Sequence, residues 1–183
     1  ARDLERYGAS RITAIEGNPR NFLKCCAVKN HYQLNRTQYL LGDCGVYLDE
    51  CDKRFDLVVA SGILYHLFDP IAALENICRL TDVISICTTY YHPTLQGFKF
   101  TGETKPVELA GLEGRVLYER ANTQIVKGKK HGMDKTVWMF DFDTLLAYLQ
   151  VKGFDYEILM RRERQEPFAV RTRLLAHRHG ALS

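Results

Sequence analysis

The stretch Phe55-Asp-Leu-Val-Val-Ala60 limits the fold more than any other part of the chain. Leu57, Val58, Val59 and Ala60 form an apolar run with no polar alternation. A strand with one wet face alternates apolar and polar residues, whereas an unbroken run suits a strand covered on both faces, as at the centre of a parallel sheet. Such a sheet needs helices packed on its two faces, so the run points to an α/β architecture. The run ends in Ser61-Gly62 and is followed by Leu64-Tyr65-His66, then by Asp69-Pro70 as the cap and first residue of a helix. Two small residues at the carboxyl end of a strand leave the backbone open to close approach. This junction is the first candidate site.

The flanking sequence supplies the alternation that a parallel sheet requires. Arg2 to Tyr7 reads as a helix end stopped by Gly8, and Arg11 to Glu16 as a strand. Asn18 and Pro19 then open a helix expected to turn Phe22, Leu23, Cys26 and Val28 inward. Thr37 to Leu41 reads as a second strand, with a turn or two of helix within Val46 to Asp52. After the strand at Phe55 to Ala60, the spacing of Ile71, Leu74, Ile77 and Cys78 predicts a one-faced helix. Val83 to Tyr90 is the next strand. Phe142, Leu145, Leu146 and Leu149 mark a last helix between Asp141 and Gly153. Two strands close the chain, Phe154 to Met160 and Val170 to His177, and the charged link Arg161 to Pro167 is too short for a crossover, so they should run antiparallel.

Residues 92–136 break this rhythm, being glycine-rich with no sustained period. They read as an insertion or lid carrying a short hairpin near Arg115 to Ile125, within a single domain spanning residues 1–183. A chain of 183 residues suits one domain and is too short for two ordinary ones. The net charge of +3 is small, with its excess in the C-terminal half, which is not the signature of a nucleic-acid binder. The run Lys127 to Gly132 reads as a solvated loop, with phosphate or RNA contact as the alternative. The six cysteines show neither a C-x-x-C pair nor zinc-like spacing, so free thiols, a cytoplasmic setting and no metal are expected. No run reaches the ~18 apolar residues of a membrane span.

Ligands of α/β sheets bind beyond the carboxyl ends of the strands. Glu16 ends the first strand, followed by Gly17 and Asn18, and its two oxygens can accept both hydroxyls of a ribose. Asp43, with Cys44, follows the second and can take an adenine amino group. Ala60, Ser61 and Gly62 end the third. Glu16 also suits a nicotinamide dinucleotide, but no GxGxxG occurs and the antiparallel ending argues against that enzyme class.

In the segments ITAIEGNP, LLGDC and FDLVVASGILYHLFDP, and in the ending FDTLLAYLQVKGFDYEIL to VRTRLLAHR, the chain resembles the class I S-adenosylmethionine-dependent methyltransferases. The resemblance implies a Rossmann-like, mainly parallel sheet with helices on both faces and a C-terminal antiparallel strand. It implies S-adenosylmethionine held by Glu16, Gly17, Asn18, Asp43, Cys44, Ala60, Ser61 and Gly62, and methyl transfer to a small molecule or to tRNA. Tyr65 and His66 would then face the departing methyl group, Tyr65 and Trp138 as acceptor contacts and His66 as general base. The bland alternatives are ring packing for His66 and a core place for Trp138. The family's first strand and its Gly-rich turn have no counterpart here, so the domain is expected to be N-terminally incomplete, a fragment inactive alone. A non-catalytic, methyltransferase-like scaffold subunit is the remaining alternative.

Overall fold

The computed structural model describes residues 1–94, 99–121, 136–163 and 170–181. A short helix α1 (Arg2–Arg6) leads into β1 (Ile12–Glu16), helix α2 (Pro19–His31) and β2 (Thr37–Leu41). Helix α3 (Cys44–Glu50) precedes β3 (Val58–Ser61), a 3-10 turn at Leu64–His66, α4 (Pro70–Leu80) and β4 (Val83–Thr89). Next come β5 (Lys99–Pro106), β6 (Val116–Ala121), β7 (Thr136–Met139), α5 (Phe142–Val151), β8 (Phe154–Glu163) and β9 (Val170–Arg178).

The strands form a parallel pair β1-β2, a four-stranded sheet β3-β4-β9-β8 and a three-stranded sheet β5-β6-β7. In the four-stranded sheet β3 and β4 are parallel, and β9 runs against both β4 and β8. β9 is therefore its one reversed strand, as the short final link required. β1 and β3 do not pair among the described residues.

One core gathers the four-stranded sheet, α4, α5 and part of the cap sheet β5-β6-β7. Ile84, Ile86, Leu145, Leu149, Phe154 and Leu174 lie at its centre. The helical spacing read for α4 is realised, with Leu74, Ile77 and Cys78 buried. Leu117 and Met139 of the cap sheet, with Val107 and Leu112 of the β5–β6 link, enter the same core. Of the hairpin expected near Arg115 to Ile125, the described part is β6, antiparallel to both β5 and β7; residues 122–135, the Lys127–Gly132 run among them, lie outside the described residues.

Three expectations about burial and helix bounds are corrected. Val59 is 46% exposed and Leu57 38%, with only Ala60 fully buried in β3. Among the described residues β3 pairs with β4 alone, so a strand expected to be central lies at the edge of this sheet. Helix α2 has no fully buried residue: Phe22 and Cys26 are half-buried as expected of an inward face, but Leu23 and Val28 face solvent, because the pair β1-β2 offers one helix only a narrow surface. Helix α3 begins at Cys44, two residues before the expected start, because Asp43 caps it.

Helix α3 is tied to α4 by one side chain. Arg79 donates from Nη1 to the Cys51 carbonyl at 2.9 Å and from Nη2 to the Leu48 carbonyl at 2.9 Å. A guanidinium there satisfies carbonyls that a helix end leaves without partners.

Candidate functional site

Two of the three candidate strand ends lie side by side. Glu16 pairs with Leu41 in parallel register, and the Gly42 N–H donates to the Glu16 carbonyl at 3.2 Å. The turns after β1 and β2 therefore leave one edge together. Glu16 is half-buried, and its Oε1 accepts the backbone N–H of Asn18 at 2.8 Å. That bond orders the Glu16-Gly17-Asn18 turn. Its second oxygen, Oε2, makes no hydrogen bond among the described residues. Asn18 in turn caps α2, accepting the N–H groups of Arg20 at 2.9 Å and Asn21 at 3.4 Å, with Pro19 at the first helical position.

Asp43, expected beside an adenine, also caps a helix. Its Oδ1 accepts from Gly45 N–H at 2.7 Å and Val46 N–H at 3.3 Å, so it is the N-cap of α3. The signal was present in the sequence: an aspartate after a strand, followed by a short helical stretch, is a cap pattern. Cys44 opens that helix half-buried, and burial first, then the Asp43 charge, push its thiol above the usual range. A neutral thiol is a contact surface rather than a nucleophile.

The third strand end belongs to the other sheet. Gly62 has φ +71°, a left-handed conformation suited to glycine. Its N–H donates to the Cys87 carbonyl at 2.7 Å, which ties the turn to the end of β4. Ala60 is buried and Ser61 exposed. The chain then bends into the 3-10 turn, where Leu64 enters the core and His66 N–H donates to the Ile63 carbonyl at 2.8 Å. The Tyr65 hydroxyl comes back over the strand end, 3.7 Å from where a Gly62 side chain would begin. The Tyr65 and His66 rings pack with centroids 4.2 Å apart at 41°.

Trp138 sits in β7 across from this turn. Its backbone N–H donates to the Leu67 carbonyl at 3.2 Å, and Lys105 Nζ lies 5.1 Å from its ring. The nearby Arg120 was not singled out from sequence, since a lone arginine in a polar stretch gives no signal. It is buried to 5% exposure, and desolvation lowers its pKa to about 10.

The candidate residues thus form two groups. Glu16, Gly17, Asn18, Asp43 and Cys44 sit on one sheet's edge; Ala60, Ser61, Gly62, Tyr65 and His66 sit on the other's, with Trp138 against them. All six cysteines are free thiols. Among the described residues no three His, Cys, Asp or Glu side chains gather as metal ligands, and no helix is long and apolar enough to cross a membrane.

Comparison with known proteins follows the same lines. Residues 1–83 match the methyltransferase domain family. No curated protein matches the chain. Among solved structures, the N-terminal domain of EvdMO1 with SAH bound aligns at TM-score 0.70 and 23% identity, over 96% of this chain and 67% of that one. Magnesium protoporphyrin IX methyltransferase from Synechocystis PCC 6803, with bound SAH, aligns at TM-score 0.61 and 13% identity over 96% and 67%. A S-adenosylmethionine-dependent methyltransferase from Clostridium acetobutylicum aligns at 0.53 and 10% over 92% and 75%. Likeness at these identities establishes a shared fold.

Proposed function

From a chain that has the class I methyltransferase fold and matches the methyltransferase domain over residues 1–83, we propose a methyltransferase that uses S-adenosylmethionine. The observation that carries the reading is Glu16. A carboxylate at the carboxyl end of a parallel strand, held by Asn18 N–H with its other oxygen available, suits a ribose diol. Structures of similar fold were solved with SAH or SAM bound, which supports the same choice of cofactor.

The cofactor brings its own activation, an electrophilic methyl group on a sulfonium. The protein's part is alignment of the acceptor with that methyl. Glu16 and the Gly17-Asn18 turn would hold the ribose, and the Asp43 turn would border the adenine. Gly62, with no side chain, would leave room for the methionine portion. Tyr65, whose hydroxyl reaches over Gly62, would border the acceptor. His66 packs against Tyr65 and is proposed as a structural partner of that ring rather than a general base.

The acceptor is proposed to be a small molecule. Proteins of this fold were solved as a porphyrin methyltransferase and in the presence of a sugar, D-fucose. The mild charge of +3 supports no polyanionic acceptor. The test is calorimetry of the full-length protein with S-adenosylmethionine and with S-adenosylhomocysteine, followed by an acceptor screen that includes sugars and tRNA. Micromolar binding of both supports the reading; binding of neither, by a folded protein, ends it.

A further inference from the structure

Among the described residues, hydrogen bonds join the cap-sheet side to the chain just after β4 and to the turn that carries Tyr65 and His66. The Tyr91 N–H donates to the Phe140 carbonyl at 2.7 Å, and the Trp138 N–H to the Leu67 carbonyl at 3.2 Å. Arg120 Nη2 donates to the Tyr65 carbonyl at 2.9 Å, and its guanidinium carbon lies 5.9 Å from the Tyr65 ring centroid.

The placement of Arg120 follows from strand alternation. Side chains two apart share a face, so Tyr118 and Arg120 of β6 point the same way. Tyr118 stacks on Tyr91, at the end of β4, with centroids 3.5 Å apart and 7° between planes. Arg120 therefore faces the same seam between the cap and the carboxyl end of the main sheet. Its cross-strand neighbours are Phe100 and Val137, both apolar. Burying a guanidinium there is costly, and desolvation accordingly lowers its pKa. A leucine would fill a purely structural position at less cost. What a leucine cannot do is grip a carbonyl and lie beside an aromatic ring at the same time.

We propose that Arg120 is a positioning residue of the acceptor side. By holding the Tyr65 carbonyl, it fixes the turn that points the Tyr65 hydroxyl over Gly62 and stacks His66 against it. Nothing in this assigns Arg120 a contact with the reacting atoms; it acts through Tyr65. The inference rests on the methyltransferase reading for what the turn is for, but the clamp itself can be tested without a known acceptor.

The test uses the full-length protein, with R120M to remove the donors and R120K to restore one. Hydrogen exchange is read on the segment 61–68 and on α5 and β8 as controls. In R120M, exchange in 61–68 should quicken about ten- to a hundredfold while the controls stay unchanged. R120K should recover part of the protection, because one ammonium donor can reach the same carbonyl. The ring signals of Tyr65 and His66 in NMR spectra should shift in R120M and move back in R120K. Unchanged exchange in 61–68, or an equal rise across α5 and β8 with no rescue by lysine, overturns the proposal. Calorimetry with S-adenosylmethionine separates the two layers. A wild-type protein that fails to bind it sinks the methyltransferase reading and leaves the clamp to the exchange data. A loss beyond about tenfold in R120M alone would refute Arg120 as an acceptor-side residue.

Discussion

Glu16 is the residue on which the cofactor assignment can be broken. Its carboxylate has two tasks that substitution can separate. One oxygen accepts Asn18 N–H at 2.8 Å and holds the turn; the other is proposed for ribose. Glu16→Gln keeps a carbonyl oxygen for Asn18 and removes the charge. Glu16→Ala removes both. Hydrogen bonds to a charged acceptor contribute about 1.5–3 kcal/mol, so Glu16→Gln should weaken S-adenosylmethionine binding roughly ten- to a hundredfold. Its melting temperature should stay near wild type. Glu16→Ala should lose as much affinity and in addition about 0.5–1.5 kcal/mol of stability, the worth of the bond to Asn18. Calorimetry gives the affinities and urea unfolding the stabilities, both on the full-length protein. If both variants bind S-adenosylmethionine as tightly as wild type, Glu16 does not hold the ribose and the assignment loses its support.

Asp43 should behave differently, because its Oδ1 is already engaged as a helix cap. Asp43→Ala should cost about 1 kcal/mol of stability while Asp43→Asn keeps the cap, so a fall in cofactor affinity in Asp43→Asn measures the adenine role alone. His66→Asn should lower stability by about 1 kcal/mol through lost packing on Tyr65 and leave S-adenosylmethionine affinity unchanged. A hundredfold loss of turnover at constant melting temperature, once an acceptor is known, would make it a general base after all. Glu75, bonded by Lys152 at 2.6 Å, has its pKa lowered chiefly by that bond. Its contribution is present above the unfolded carboxyl value of about 4.3 and is lost as pH falls through the lower folded value. The side chain is half-exposed, so the effect should stay below about 1 kcal/mol, read as a shallower fall in melting temperature between about pH 5 and pH 3 in Glu75→Gln.

What the sequence revealed and what it hid divide along a physical line. The strands β3, β4, β8 and β9 could be read because each is a local pattern, and the antiparallel ending because the last link is too short to cross over. The α4 core face could be read because period 3.6 is local too. The exposure of Val59 could not, since an apolar run reports what a strand prefers and not which neighbours are beside it. The inward face assigned to α2 held only in part, with Phe22 and Cys26 half-buried and Leu23 and Val28 facing solvent, because the two-stranded surface beneath the helix is narrow. Asp43 carries a role beyond the expected one, as the N-cap of α3. A helix cap and a ligand-binding carboxylate make the same demand on sequence, an acidic residue in a turn after a strand, and the Gly45 and Val46 N–H bonds show the capping role that the sequence left unread.

The same line separates the two halves of the proposed site. The cofactor side is ordered by bonds that span two or three residues: Glu16 with Asn18, Asn18 with Arg20 and Asn21, Asp43 with Gly45 and Val46. Those turns can form as soon as their own residues do, and they pre-set the acceptor atoms before any ligand arrives. The acceptor side is ordered by contacts far apart in sequence, Arg120 reaching Tyr65 across 55 positions and Trp138 reaching Leu67. Such contacts exist only after the cap sheet has docked. It follows that changes in β5, β6 and β7 can reshape the wall facing the acceptor while the turns after β1 and β2 stay as they are. An architecture of this kind lets one way of holding the methyl donor serve unlike acceptors. Measured on cap-sheet variants, S-adenosylmethionine affinity should therefore vary far less than the exchange rates of the Tyr65 turn.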